Sequence, residues 1–293
     1  MRVGIYGRHF GDSFVTNIQE LFTTMHSLGW SYMIYEPLNE SLKNRINILS
    51  EPVFFNRHEE IWGKIDLLIS IGGDGTFLET IHIIRDSGIP VLGVNTGRLG
   101  FLASTHKDEI KEVLQYIHED KYRLQNRSVL TLETKEKLFG ENNFALNELT
   151  VHKKDSSSMI TIHAYFGDLY LNSYWADGLI VATPTGSTAY SLSCGGPIMV
   201  PGSRSFVITP IAPHNLNVRP ICVPDDRPIT LRVEGRGSEG FLCTLDSKSV
   251  TIDSTVELVI RRANFDLNVV QTDKQNFLNT IRNKMGWGSD SRN

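Results

Sequence analysis

A chain of 293 residues, 40% hydrophobic and 21% charged, is long enough for two domains with cores of their own. Its net charge of −4 and lack of a basic run argue against a nucleic-acid or membrane surface, and no apolar stretch reaches the ~20 residues that cross a bilayer. The three cysteines, Cys194, Cys222 and Cys243, are widely spaced; they suit reduced thiols in a cytoplasm and lack zinc-site spacing.

The start, Met1-Arg2-Val3-Gly4-Ile5-Tyr6, reads as a first strand rather than a signal peptide. Strand-like and helix-like segments then alternate. A strand over 2–6 precedes a helical pattern on Val15, Ile18, Phe22 and Met25. A strand over 32–35 precedes another on Leu38, Leu42, Ile46 and Leu49. A strand over 66–71 leads through Gly72-Gly73-Asp74-Gly75-Thr76 to a helix after Thr76 on Phe77, Ile81 and Ile84. A strand over 90–94 leads through the loop 95–101 to a helix on Ile110, Val113, Leu114 and Ile117. This alternation predicts an α/β domain over 1–124 with a mostly parallel sheet, whose ligands sit beyond the carboxyl ends of the strands.

Near residue 125 the helical pattern gives way to short β-branched or alternating segments: 128–133, 144–151, 159–166, 169–175, 179–183, 206–211, 229–233, 241–245 and 256–261. They predict an all-β, sandwich-like domain over 125–271. A closing helix on Phe277, Leu278, Ile281 and Met285, capped by Asp273, is expected to pack back on the first domain, so that 272–293 completes it. The last residues, 286–293, are expected to fray.

Three segments carry chemistry. In the first, glycines let backbone approach a ligand closely, and a bare turn has no need of the Asp74 carboxylate at its point of closest approach. In the second, Asn147-Glu148, an amide and a carboxylate are strand neighbours, which a regular strand points to opposite faces. A bulge or a domain edge would let both reach one ligand; a solvated edge is the plainer reading. The third, from Asp177 to Ser193, is a strand, a turn and a run of small hydroxylated residues that permit close approach and supply neutral hydrogen bonds; alone, it could equally be a surface loop. The nine histidines show no metal-ligand spacing, Gly-x-Ser-x-Gly and GxxxxGK[ST] are absent, and the N-terminal Gly4, Gly7 and Gly11 do not make GxGxxG.

Taken in order, Gly72-Gly73-Asp74-Gly75-Thr76, Asn147-Glu148, Thr185-Gly186-Ser187-Thr188-Ala189-Tyr190 and Pro210-Ile211-Ala212-Pro213-His214 resemble the signature set of the NAD kinases. The first motif alone is shared with diacylglycerol and sphingosine kinases. The resemblance implies transfer of the γ-phosphate of ATP to the adenosine-ribose 2′-hydroxyl of NAD, with Asp74 as the catalytic residue and Gly75 in the backbone that receives nucleotide. It implies that Asn147 and Glu148 hold adenine and ribose, and that Asp177 contacts the nicotinamide side. Thr188, Ala189, Tyr190, Ser191, Leu192, Ser193 and Ala212 would line the same pocket, with Tyr190 stacking on a base and Arg98 and Phe101 in a loop near substrate. A divalent ion, Mg²⁺, would arrive with ATP, and a homo-oligomer, dimer or tetramer, would form through the β domain. Two departures stand out: Trp175 where many relatives carry Arg or Lys, and Leu245-Asp246-Ser247-Lys248 where many carry Asp-Gly-Gln. Feedback by NADP and the choice between NAD and NADH stay open. A lipid kinase accounts for neither Asn147-Glu148 nor the 185–190 segment. A catalytically silent dinucleotide-binding regulator would be expected to have lost Asp74 or its glycines.

Overall fold

Short apolar runs followed by apolar residues at helical spacing build the first part of the chain. The computed structural model describes residues 1–97, 100–154, 158–235, 240–273 and 276–286. It places here β1 (Arg2–Gly7), α1 (Val15–Ser27), β2 (Ser31–Tyr35), α2 (Glu36–Leu42), β3 (Val53–Phe55) and α3 (His58–Ile61). These are followed by β4 (Leu67–Gly72), α4 (Asp74–Glu79), α5 (Ile81–Ile84), β5 (Val91–Asn95) and α6 (Ile110–His118). The sheet order is β3-β2-β1-β4-β5, parallel throughout. Every residue of β4 is buried, as a central parallel strand covered on both faces requires. Ile18, Leu21 and Phe22 of α1 and Leu114 and Ile117 of α6 close one core over Ile5 and Ile69.

Two expectations need correction in this region, and two short elements add to them. The helix over Leu38–Leu42 does not continue to Ile46 and Leu49: Asn44 takes a left-handed φ of +59°, Ile46 folds onto the core from a loop, and Leu49 is exposed. The helix after the glycine turn starts at Asp74 itself and breaks at Thr80, whose hydroxyl donates back to the carbonyl of Phe77 at 2.6 Å. The edge strand β3 and the one-turn α3 are too short to leave a periodic signal.

The remaining elements are β6 (Arg123–Glu133), β7 (Phe144–Ala145), β8 (Glu148–Lys153), β9 (Ile160–Phe166), β10 (Leu169–Ala176), β11 (Gly178–Ala182) and α7 (Tyr190–Ser193). After these come β12 (Ser205–Ile211), β13 (Ile221–Pro224), β14 (Ile229–Glu234), β15 (Phe241–Leu245), β16 (Lys248–Ile252), β17 (Leu258–Gln271) and α8 (Phe277–Met285). Contacts divide the chain into two units, Met1–Asn126 with Leu267–Asn293, and Arg127–Asp266. In the second unit one antiparallel sheet runs β13-β12-β11-β8-β15-β16 and another runs β10-β9-β14-β17. Alternate residues of both, among them Leu149, Val151, Val181, Ile162, Leu231 and Ile260, fill the core of a sandwich. β11 is buried on both faces, because Ile180 and Ala182 enter a second, smaller core with Met199, Val207 and Ile211.

Here too the sequence reading needs adjustment. The strand expected over 144–151 is broken at Leu146-Asn147, and β17 extends far beyond 256–261. Its last residues belong to the first unit, where Val269 pairs in parallel with Val91 of β5. β13 and β16 were not anticipated. The cap of α8 is Asn276, whose Oδ1 accepts from the amide of Asn279 at 2.8 Å, and not Asp273; the helix starts one residue after this cap. Gly286 ends α8 at a left-handed φ of +65°, and the tail expected to fray beyond it lies outside the described residues. In the first unit, Ile281 of α8 is buried and the Lys284 ammonium lies 4.7 Å from the ring centroid of Phe101.

Candidate active site

β4 delivers the chain into Gly72, where any Cβ would lie 2.4 Å from Thr76 Oγ1, so the turn closes only around glycine. Gly73 and Gly75 are different. A Cβ on either meets no atom of the described residues within 4 Å, so packing of the chain does not ask for glycine there. The backbone of both is left open to close approach. Between them, half-buried Asp74 is fastened by three successive backbone amides: Phe101 donates to Oδ2 at 2.8 Å, and Leu102 and Ala103 donate to Oδ1 at 3.0 Å each. The loop that supplies these amides is folded back on β5. Thr105 N donates to Gly93 O at 3.0 Å, Asn95 N to Thr105 O at 2.9 Å, and Asn95 Nδ2 to Ala103 O at 3.3 Å. Gly93 is needed for this, since its Cβ would sit 2.7 Å from Ala103 Cα. Gly100 is needed for the carboxylate itself, because its Cβ would sit 1.8 Å from Asp74 Oδ1. Arg98 of the same loop lies outside the described residues.

In the second unit the break before β8 centres on another carboxylate. Asp246 Oδ2 accepts from Leu146 N at 2.8 Å, and its Oδ1 accepts from Asn147 N and Glu148 N at 2.9 and 3.0 Å. On the opposite side of the same peptides, buried Thr183 donates its hydroxyl to Leu146 O at 2.5 Å and its amide to Asn147 O at 2.9 Å. Thr183 Oγ1 in turn accepts from Gly186 N at 3.2 Å, which ties the Asn147-Glu148 segment to the 185–190 segment. Gly186 admits no side chain: its Cβ would sit 2.2 Å from Asn147 O and 2.8 Å from Glu148 Oε2. Glu148 Oε2 is buried with no hydrogen-bond partner among the described residues. Burial, and then the charge of Asp246, push the Glu148 carboxyl up to about 8, against the lowering effect of a bond from the Tyr190 amide. Asp246 is itself pushed up to about 6 by burial, while its three amide donors pull the other way.

Asp177 follows β10, and its Oδ1 pairs with Lys153 Nζ at 2.7 Å across the adjoining strand. Gly178 after it is fixed by Val151 O, 2.4 Å from where a Cβ would lie. Trp175 is half exposed, its ring 4.2 Å from that of His214. Ala212 is exposed and left-handed at φ +45°, a conformation that is strained for alanine. Thr188, Ala189 and Leu192 are partly exposed, and Tyr190 and Ser193 are exposed, with the Tyr190 ring open to a stacking partner. Ser191 is fully buried, its hydroxyl 2.8 Å from Thr209 Oγ1; it holds the segment instead of facing solvent.

Sequence reasoning passed over Gly100, Thr183, Asp246 and Lys153. Each acts on a partner far along the chain, and only the segment Leu245-Asp246-Ser247-Lys248, read as a departure from a known pattern, gave any signal. No group of three or more His, Cys, Asp or Glu able to hold a metal occurs among the described residues, and no described helix is long and apolar enough to cross a membrane.

Known proteins resemble the chain along its whole length. The family model for the ATP-NAD kinase N-terminal domain matches residues 19–122, and that for the ATP-NAD kinase C-terminal domain matches residues 146–272. The NAD kinase of Flavobacterium psychrophilum is 43% identical over 295 residues, covering 100% of both chains. That of Cytophaga hutchinsonii is 44% identical over 295 residues, again covering 100% of both. Among solved structures, yeast NADH kinase complexed with NADH superposes with a TM-score of 0.86 at 25% identity, covering 99% of this chain and 89% of that one. An NAD kinase from Archaeoglobus fulgidus in complex with ATP gives 0.70 at 25% identity, covering 98% of each.

Proposed function

Because the chain belongs to the ATP-NAD kinase family, we propose that it transfers the γ-phosphate of ATP to the 2′-hydroxyl of the adenosine ribose of NAD, giving NADP and ADP. The observation that carries this reading is the fastened carboxylate of Asp74 beside two glycines whose side-chain space the protein leaves open. A carboxylate offers about four acceptor sites. Three are taken by the loop amides, and capacity for one further donor remains: the hydroxyl that attacks. Asp74 orients that hydroxyl and accepts its proton late, which suits a loose phosphoryl-transfer transition state governed by positioning and charge neutralisation. Gly75 and its neighbours give the phosphates close access to backbone.

On the NAD side, Asn147 faces adenine and Glu148 takes the ribose hydroxyls, its unpartnered oxygen supplying the acceptor. Tyr190 stacks on a base, while Thr188, Ala189, Leu192, Ser193 and Ala212 line the pocket and Ser191 keeps that lining in place. Asp177, with Lys153 at its side, meets the nicotinamide half. The divalent ion, Mg²⁺, is part of the ATP substrate, and the active form is a cytoplasmic homo-oligomer.

The test is direct: purified protein with ATP, Mg²⁺ and NAD, NADH or diacylglycerol in separate reactions. NADP formation is the expected result. Phosphorylated lipid without NADP would make the chain a lipid kinase, and tight NAD binding with no product would make it a regulator.

A further inference from the structure

Asp246 is a charged side chain engaged entirely with backbone. It opens the two-residue link between β15 and β16, across which Leu245 and Lys248 pair. Its φ of +47° is left-handed, which glycine, asparagine and aspartate all accept in such a link. The turn does not require the charge, and both carboxylate oxygens are used on another segment. The carboxylate draws in the amides of Leu146, Asn147 and Glu148 at 2.8–3.0 Å, while Asp246 N donates to Glu148 O at 3.1 Å. Three consecutive N–H groups converging on one anion cannot belong to an extended strand, whose amides alternate in direction. The break between β7 and β8 is thus the imprint of this side chain.

We propose that Asp246 is the positioning residue of the dinucleotide site: by gathering these three amides it presents Asn147 and Glu148 together to one ligand. This rests on the reading of Asn147 and Glu148 as the pair that holds NAD. A carboxamide cannot replace the carboxylate, since it has one accepting oxygen and would turn an N–H₂ toward an amide N–H. The Asp246 charge also acts on Glu148, which is faced in addition by the Tyr190 amide and the Cys194 thiol. Removing that charge lets Glu148 ionise at lower pH.

The experiment compares wild type with Asp246→Asn and Asp246→Gly, both of which tolerate a left-handed φ. The KM for NAD is expected to rise about 10- to 100-fold, the equivalent of one charge-assisted hydrogen bond. The KM for ATP and kcat at saturating NAD should stay within about twofold, since the NAD binding that is weakened is the same in the ground and transition states. In Asp246→Asn the pH profile of NAD affinity should move to lower pH. Hydrogen exchange should show the amides of Leu146, Asn147 and Glu148 losing protection in both variants. An unchanged KM for NAD, or a fall in kcat shared with both substrates, would overturn the proposal. Should wild type form no NADP, the kinase reading fails; amide exchange and direct NAD binding then still decide whether Asp246 positions the pair.

Discussion

At the scale of single residues, the proposed function assigns different work to two carboxylates. Asp74 makes three amide bonds that an asparagine could only partly keep, and in the proposed reaction it adds one acceptor among several to NAD binding. Asp74→Asn is expected to leave the Kd for NAD nearly unchanged while lowering kcat by ~10²–10⁴, the range of a general base. Turnover close to wild type would remove Asp74 from the chemistry. Glu148 gives a different signature. With its carboxyl pushed up to about 8, it is mostly protonated at neutral pH in the free protein. Ribose hydroxyls that donate to it favour the ionised form, so NAD binding at pH 7 should release up to one proton, and affinity should rise as pH approaches 8. Calorimetry in buffers of different ionisation enthalpy measures that proton. Binding without release would mean that Glu148 does not accept from the ligand.

At the scale of elements, the loop that follows β5 matters as much as the glycine turn it clasps. Gly100→Ala places a methyl group where Asp74 Oδ1 now lies, which moves the carboxylate or opens the loop. Displacement of this kind is expected to cost on the order of 100-fold in kcat/KM. Gly75→Ala meets no atom of the described residues and restrains the unfolded chain, so its Tm should match or exceed that of wild type while activity falls. Thermal melting beside steady-state kinetics separates the two; a Gly75→Ala protein with full activity would mean that nothing approaches the backbone there. The glycine turn, its strand and its helix were legible in the sequence because Leu67–Ile71 is continuously apolar and Phe77 and Ile81 return at helical spacing. The loop expected over 95–101 was legible as a loop, and through the resemblance as one near substrate, but not as the clasp of Asp74. Its role comes from bonds to a residue nearly thirty positions earlier, a separation that periodicity does not record.

For the whole molecule, the buried carboxyls link fold to pH. Glu148 changes from 4.5 to about 8 on folding, so between those values the native state holds a proton that the unfolded chain has released. Stability from this group is therefore present on the acid side and is lost as pH rises toward 8; Asp246, changed from 3.8 to about 6, adds the same sign over the lower part of the window. Wild type should lose several degrees of Tm between pH 6 and 8.5, and Glu148→Gln should flatten that slope; equal slopes would place the proton elsewhere. The α/β-then-β order could be read from composition and period, since each strand of one kind is followed by helical spacing and each of the other by a turn. The joins were not legible. β17 reads as a short strand because its polar residues Arg261, Arg262, Asn264 and Asp266 interrupt the apolar run, and Asn276 replaced Asp273 as a cap because three residues of leeway separate equally good candidates. One feature reaches further than the site. β11 sends Leu179 and Val181 into the large core and Ile180 and Ala182 into the small one, which Met199 and Ile211 close. Tolerance to mutation will therefore not decline smoothly with distance from the chemistry. Met199 serves twice: its side chain fills the small core, and its amide donates to the Ser187 hydroxyl at 2.9 Å and so holds the 185–190 segment.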